Sequence, residues 1–402
     1  MTISATQAKL EEPAKLEEPA KLEASAKLEA SAKLEEPAKL EASAKLEEPA
    51  TPAIKAAPEA ISSNEVIATT TAPCPTANTI SAEDDASVSL EVLSPCKINL
   101  CLYVLGKRPD GFHNLQSLFA LLNFGDTMRF TVRNDGQGLI KITPDLGFPL
   151  TDNLIYKAAR LLQEYTQVNF SLNVEMTKVL PMGGGLGGGS SNAATTLLVV
   201  NHLAQLNLSE SALCELGARL GSDVPFFVVG KNAYVEGRGE VIMPLSAEEI
   251  ELAQLDKHYF LVVTPPCHVS TKAIFTDPTL SSHYSPKQSK SAILQGPWRN
   301  DFTPIVQNKF AAIGHTLDRL VKYGHPAMSG TGASCFVAFT ELSQAYQAQQ
   351  ECQDLVITPQ GHIVEKNADS ALRGQTLFSF VAPSVQLSPV HQALASCSLR
   401  KS

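Results

Sequence analysis

The stretch Leu180-Pro181-Met182-Gly183-Gly184-Gly185-Leu186-Gly187-Gly188-Gly189-Ser190-Ser191-Asn192-Ala193-Ala194 decides how the chain reads. Six glycines in the seven positions 183–189 exclude a strand or helix interior, because ordering a glycine costs more backbone entropy than ordering any other residue. The run after it, Ala193 to Leu203, reads as a helix. A glycine-rich loop feeding a helix N-terminus offers unpaired N–H groups and the positive end of the helix dipole, which suits phosphate. Ser190 and Ser191 add hydroxyls for phosphate or Mg²⁺. No Lys closes the loop, so it is not a P-loop, and its context is not that of a dinucleotide fingerprint. A flexible linker is the alternative, but linkers seldom join a strand so directly to an apolar helix.

Upstream, Ile98, Leu100, Leu102 and Val104 alternate with Asn99, Cys101 and Tyr103, the pattern of a half-buried strand. Lys97 shares the polar face with Asn99, either as a solvated lysine or as a functional cation. Residues 106–111 are a turn. Phe112-His113 just after it could stack on and hydrogen-bond a base, or could pack locally. Helical spacing predicts a helix over 151–165, capped by Thr151/Asp152. Downstream, Ser209 caps a further helix that Gly221 stops. Asp223, ahead of Val224-Pro225, is open to two readings: a cap for the next segment, or a carboxylate able to take a proton from a substrate hydroxyl. Ser329-Gly330-Thr331-Gly332-Ala333 either lets backbone approach a phosphate or makes a tight turn. Strand-like runs recur at 259–264 and 335–340. Alternating strands and helices predict a mixed α+β fold in two lobes.

The net charge of −9 is uneven. Residues 1–86 hold 8 Lys and 16 Asp/Glu, so the remainder is close to neutral, which excludes a strongly basic nucleic-acid-binding domain. Residues 9–50 are seven hexapeptides, KLEEPA or KLEASA. A period of six winds its single Leu around a helix, and Pro interrupts four of the repeats, so residues 1–86 are expected to be a disordered tail and linker. No apolar run reaches the ~20 residues of a membrane span, and the start shows neither a secretory signal nor an Arg-rich transit peptide. Eight scattered Cys without a C-x-x-C pair fit a reducing compartment. The expectation is a cytoplasmic protein, with a plastid as the alternative, and with neither membrane nor nucleic-acid partners.

The segments Lys97-Ile98-Asn99-Leu100, Asp110-Gly111-Phe112-His113, Asn153-Leu154, Leu180–Ala194, Gly221-Ser222-Asp223-Val224-Pro225, Glu236-Gly237-Arg238-Gly239-Glu240, Asn300-Asp301-Phe302, Ser329–Ala333 and Leu387-Ser388-Pro389 together resemble the GHMP small-molecule kinases. Within them, the triple-glycine repeat with Ser-Ser-Asn-Ala-Ala resembles the branch acting on a CDP-linked methylerythritol in the methylerythritol phosphate route to isoprenoid precursors. The resemblance covers about residues 88–395. It implies a two-lobed fold, divided as 87–250 and 251–402, with the active site between the lobes. It also implies ATP-dependent phosphorylation of the substrate's 2-hydroxyl, with Mg²⁺ as a further cofactor. By the same resemblance Asp223 is the base and Lys97 sits beside it. Pro181, Met182, Gly183–Gly189, Ser190 and Ser191 hold ATP, with Asn153, Leu154 and Lys178 near the adenosine. Phe112 and Phe275 sandwich the cytosine, His113 meets its edge, and Asn99 and Thr271 line the substrate cleft. Three features depart from the family pattern: Phe112 stands where Tyr is usual, Cys96 where Ala is usual, and residues 352–380 are longer. The tail has no counterpart in the family.

Overall fold

The computed structural model describes residues 87–353, 355–358, 363–365 and 375–398, all within one compact unit. The tail and linker of residues 1–86 lie outside the described residues, as does part of the 352–380 segment.

Two 21-residue strands, β1 (Ser87–Lys107) and β2 (His113–Arg133), form an antiparallel hairpin across the turn expected at Gly111. Gly111 takes φ +86°, and its N–H reaches Arg108 O at 3.0 Å. The chain continues through β3 (Ile140–Thr143), α1 (Leu154–Thr166), β4 (Ser171–Thr177), α2 (Gly188–Leu203), α3 (Glu210–Leu220), α4 (Val224–Val229), β5 (Ala233–Gly237) and β6 (Val241–Pro244). The six strands make one sheet, in which β4 pairs with one half of β2 and β5 with the other. Only β3 and β4 run parallel.

The second half comprises α5 (Ala247–Leu252), β7 (Tyr259–Thr264), α6 (Thr271–Phe275), α7 (Lys290–Gln295), α8 (Thr303–Lys309), α9 (Ala311–Leu320), β8 (Ala327–Met328), β9 (Cys335–Phe339) and α10 (Leu342–Gln353). It continues with β10 (Leu355–Ile357), β11 (Ile363–Glu365), β12 (Gln375–Thr376), β13 (Phe378–Pro383) and α11 (Pro389–Ser398). An antiparallel sheet runs β13-β7-β9-β8, and a small one runs β11-β10-β12. One core packs α1–α4 against the first sheet and also takes in Val390, Ala393 and Cys397 of α11, which returns from the end of the chain. A second core packs α8–α10 under the β7–β9 sheet. The mixed α+β architecture matches the expectation.

Three local readings are corrected. β1 is not half-buried: Asn99, Cys101 and Tyr103 are as enclosed as the apolar residues beside them, because one face packs on helices and the other on the second sheet. Helix α1 starts later than expected, and its cap is Asn153, not Thr151 or Asp152, which lie in a preceding 3₁₀ turn. The Asn153 carboxamide oxygen accepts from Ile155 N at 2.9 Å, a cap worth about 1 kcal/mol. Helix α2 begins at Gly188, so the last two loop glycines form its first turn. Ser209 and Gly221 bound α3 as read from the sequence.

Candidate active site

Two clefts meet on either side of the glycine loop. The first encloses about 330 Å³. It is lined by Asn153, Leu154, Lys178 and the whole run from Pro181 to Ser190. Gly183, Gly185 and Gly187 have φ of +73°, +76° and +71°, which side-chain-bearing residues rarely adopt. A Cβ on Gly185 would stand 2.6 Å from Ser329 O and 2.8 Å from Gly332 O, so only glycine fits between the two small-residue loops. Those loops are stitched together: Ser334 N donates to Gly184 O and Ser329 Oγ to Gly185 O, both at 3.0 Å. Asn300 secures the second loop through Met328 O and Gly330 O, each at 2.7 Å. Helix α2 then presents the free N–H groups of its first turn to the cleft.

The adjacent serines have different surroundings. Ser190 lines the cleft, and among the described residues its hydroxyl meets no hydrogen-bond partner. Ser191, expected to share the nucleotide, is instead fully buried. Its hydroxyl donates to Pro95 O at 2.5 Å and lies 2.8 Å from Ser94 Oγ, so it fastens α2 to β1. The helical turn rotates the two side chains apart by about 100°.

Asp126, which sequence reasoning missed, organises this cleft from beneath. It is completely buried. One carboxylate oxygen accepts from Val179 N and Leu180 N, and the other from Lys178 Nζ and Asn192 Nδ2, all at 2.9 Å. Four donors satisfy the hydrogen-bonding capacity of the buried carboxylate without water. They fix both the entry to the glycine loop and the direction of Lys178. The available signal was a lone acidic residue between two apolar runs of one strand.

The second cleft, about 250 Å³, lies beyond Gly185 and Gly187, which it shares with the first. Lys97, Asn99, Asp223, Thr271 and Phe275 line it as expected, together with Ser117 and Phe119, which were not anticipated, and Arg238 and Thr331, whose segments carried the family resemblance without a side-chain role. On β2, Phe119 lies opposite Asn99 and Ser117 opposite Leu102, so hairpin register was the signal for both. A bulge between Asn99 and Cys101 bends β1 at this point. Lys97 is not a solvated lysine: it is 4% exposed. Its ammonium donates to Asn99 Oδ1 at 2.5 Å, lies 3.3 Å from Asp223 Oδ2 and sits 4.5 Å above the Phe119 ring. Asp223 occupies the N-cap position of α4, yet its side chain makes no cap hydrogen bond. Thr271 Oγ1 lies 3.0 Å from Thr331 Oγ1, joining α6 to the second small-residue loop.

Two expected substrate residues stand apart from this lining. Phe112 is 56% exposed, and its ring partner is the Arg238 guanidinium at 5.0 Å, not Phe275. The Gly111 turn carries it out to the rim. His113 is buried behind Phe275, with ring centroids 5.5 Å apart, and its Nε2 is 3.1 Å from the Tyr284 hydroxyl. Burial, aided by nearby Lys107, holds its pKa below the usual histidine value, which favours the neutral ring.

Known proteins carry the same pattern. The GHMP kinases N terminal domain matches residues 153–231. The 4-diphosphocytidyl-2-C-methyl-D-erythritol kinase of Pseudomonas savastanoi pv. phaseolicola is 39% identical over 313 residues, covering 78% of this chain and 98% of that protein. The kinase of the same name from Pseudoalteromonas atlantica is 42% identical over 302 residues, covering 75% and 95%. A crystal structure of 4-(cytidine 5'-diphospho)-2C-methyl-D-erythritol kinase superposes with a TM-score of 0.57 at 27% identity, over 73% of this chain and 99% of that one. Mevalonate kinase of Methanococcus jannaschii shares the fold alone, with a TM-score of 0.51 at 11% identity over 75% and 100%. With relatives this similar over nearly their whole length, the chain belongs to the 4-diphosphocytidyl-2-C-methyl-D-erythritol kinase family of the GHMP kinases.

Proposed function

We propose that this protein transfers the γ-phosphoryl group of ATP to the 2-hydroxyl of 4-diphosphocytidyl-2-C-methyl-D-erythritol, a step towards isoprenoid precursors, in the cytoplasm. The observation that carries the reading is the meeting of the two clefts at Gly185 and Gly187, with Asp223 and Lys97 on the acceptor side. Residues 87–250 would supply the nucleotide cleft and most of the acceptor cleft, which residues 251–402 complete through Thr271, Phe275 and Thr331. ATP takes the first cleft, with its phosphates on the loop N–H groups and its adenosine towards Asn153, Leu154 and Lys178. The CDP-linked alcohol takes the second.

Asp223 orients the hydroxyl and receives its proton as the oxygen attacks the γ-phosphorus. The bond from that phosphorus to the bridging oxygen breaks, and ADP leaves. Lys97 faces the carboxylate at 3.3 Å and offsets negative charge at the transferred group. Asn99 holds the ammonium in place. The donor set also suits Mg²⁺, which prefers oxygen ligands and usually binds with nucleotide phosphates plus few protein groups: Ser190 offers a free hydroxyl at the loop. Bound there, Mg²⁺ would supply charge neutralisation on the phosphates.

The test measures ADP release with the CDP-linked alcohol, mevalonate and homoserine in parallel. Turnover is expected with the first only, and turnover on mevalonate alone would overturn the reading.

A further inference from the structure

We propose that Arg238 is a specificity-determining residue: its guanidinium receives the diphosphate of the CDP-linked substrate, and Phe112 holds it in position. This rests on the cytidyl reading above and adds a cation to it.

The argument starts from charge. A nucleoside diphosphate ester brings two negative charges into the second cleft, yet only two side chains lining that cleft are cationic, Lys97 and Arg238. Lys97 is already committed to Asn99 and Asp223 and is nearly inaccessible. Its place is the reacting hydroxyl. Arg238 is free by comparison. Its only ion pair among the described residues is with Glu240 at 3.7 Å, and both side chains are nearly half exposed, so solvent screens the pair heavily.

The local backbone aims Arg238. It lies in the turn joining β5 to β6, between Gly237 at φ +73° and Gly239 at φ +114°. Its own N–H is held by Glu240 Oε2 at 2.5 Å. A side chain at the tip of such a turn would ordinarily wander in solvent. Here the Phe112 ring, 5.0 Å from the guanidinium carbon, gives it a platform. A planar, fixed guanidinium can donate two parallel hydrogen bonds to phosphate oxygens, which a mobile ammonium does less well. The platform needs only an aromatic face and no hydroxyl, which agrees with Phe at position 112.

Cytidine and CDP as competitive inhibitors of the full chain separate the parts of the site. In the Arg238→Ala variant, inhibition by CDP should weaken about tenfold to a hundredfold, the worth of a lost charge-assisted contact, while inhibition by cytidine stays unchanged. KM for the CDP-linked substrate should rise similarly, with KM for ATP unaffected. Arg238→Lys, which keeps the charge without the fork, should recover part of the CDP inhibition. If CDP and cytidine weaken equally, Arg238 acts on the base and the proposal is wrong. It is equally wrong if CDP inhibition is untouched, or if KM for ATP rises in step. A wild-type protein inhibited by neither compound would instead sink the cytidyl reading, on that arm alone, and this proposal with it.

Discussion

Asp223 illustrates how a residue type leaves its role open until its neighbours are known. An aspartate before Val-Pro is an ordinary helix cap, and its backbone does stand at the N-cap of α4. Its side chain turns away from that task to face an ammonium 126 positions earlier in the chain. Asp223→Asn keeps the shape and removes the proton acceptor. Turnover should fall by about a hundredfold or more, the typical worth of a positioned general base. ATP binding, followed by nucleotide titration, should remain within about twofold of wild type, and so should the urea midpoint. Near-normal turnover would return Asp223 to the standing of a failed cap. The Ser190–Ser191 pair makes the same point in reverse. Identical side chains in sequence meet unlike surroundings, because one faces the cleft and the other faces Pro95.

At the scale of elements, the glycine loop was legible because composition alone excludes regular structure there, and strand β7 and helix α3 because their period and caps agree. The beginning of α1 was misjudged because Thr151, Asp152 and Asn153 are all plausible caps, and only the folded backbone chooses among them. The burial of β1 on both faces escaped notice because its second face is covered by a sheet more than 150 residues away. Asp126 was missed, and Arg238 went without a role inside its motif, for a related reason: each meets partners, Lys178 and Phe112 among them, that spacing along the chain does not bring near.

The loop also allows a controlled comparison. Gly136 and Gly185 share the same left-handed backbone, with φ of +74° and +76°, but a Cβ on Gly136 meets nothing within 4 Å. Gly136→Ala should therefore lose only about 1–2 kcal/mol, the cost of the left-handed conformation. Gly185→Ala must in addition part the two loops, so it should lose clearly more by denaturant titration and bind ATP more weakly. Equal losses would mean that the loops yield without strain.

For the molecule as a whole, the sequence charge belongs mainly to residues 1–86, so on the function proposed above the site would carry its anions with local devices: loop N–H groups, one buried ammonium and one guanidinium at the rim. The residues assigned to chemistry all fall between Lys97 and Thr331. Deleting residues 1–86 should therefore leave kcat and both KM values within about twofold of the full chain in the ADP-release assay, the spread usual for context effects on a distant site. A large loss would give the repeats a part in catalysis.

Helix α11 bears on how such a chain is made. Val390, Ala393 and Cys397 complete the core under the nucleotide cleft, whose sheet begins at Ser87. A ribosome releases residues in order, and domains whose segments are contiguous can fold as they emerge. Here the nucleotide half is left with an apolar groove uncovered while the β7–β9 half is synthesised, until α11 arrives to cover it. Termination before residue 390 would strike the half of the enzyme that was translated first.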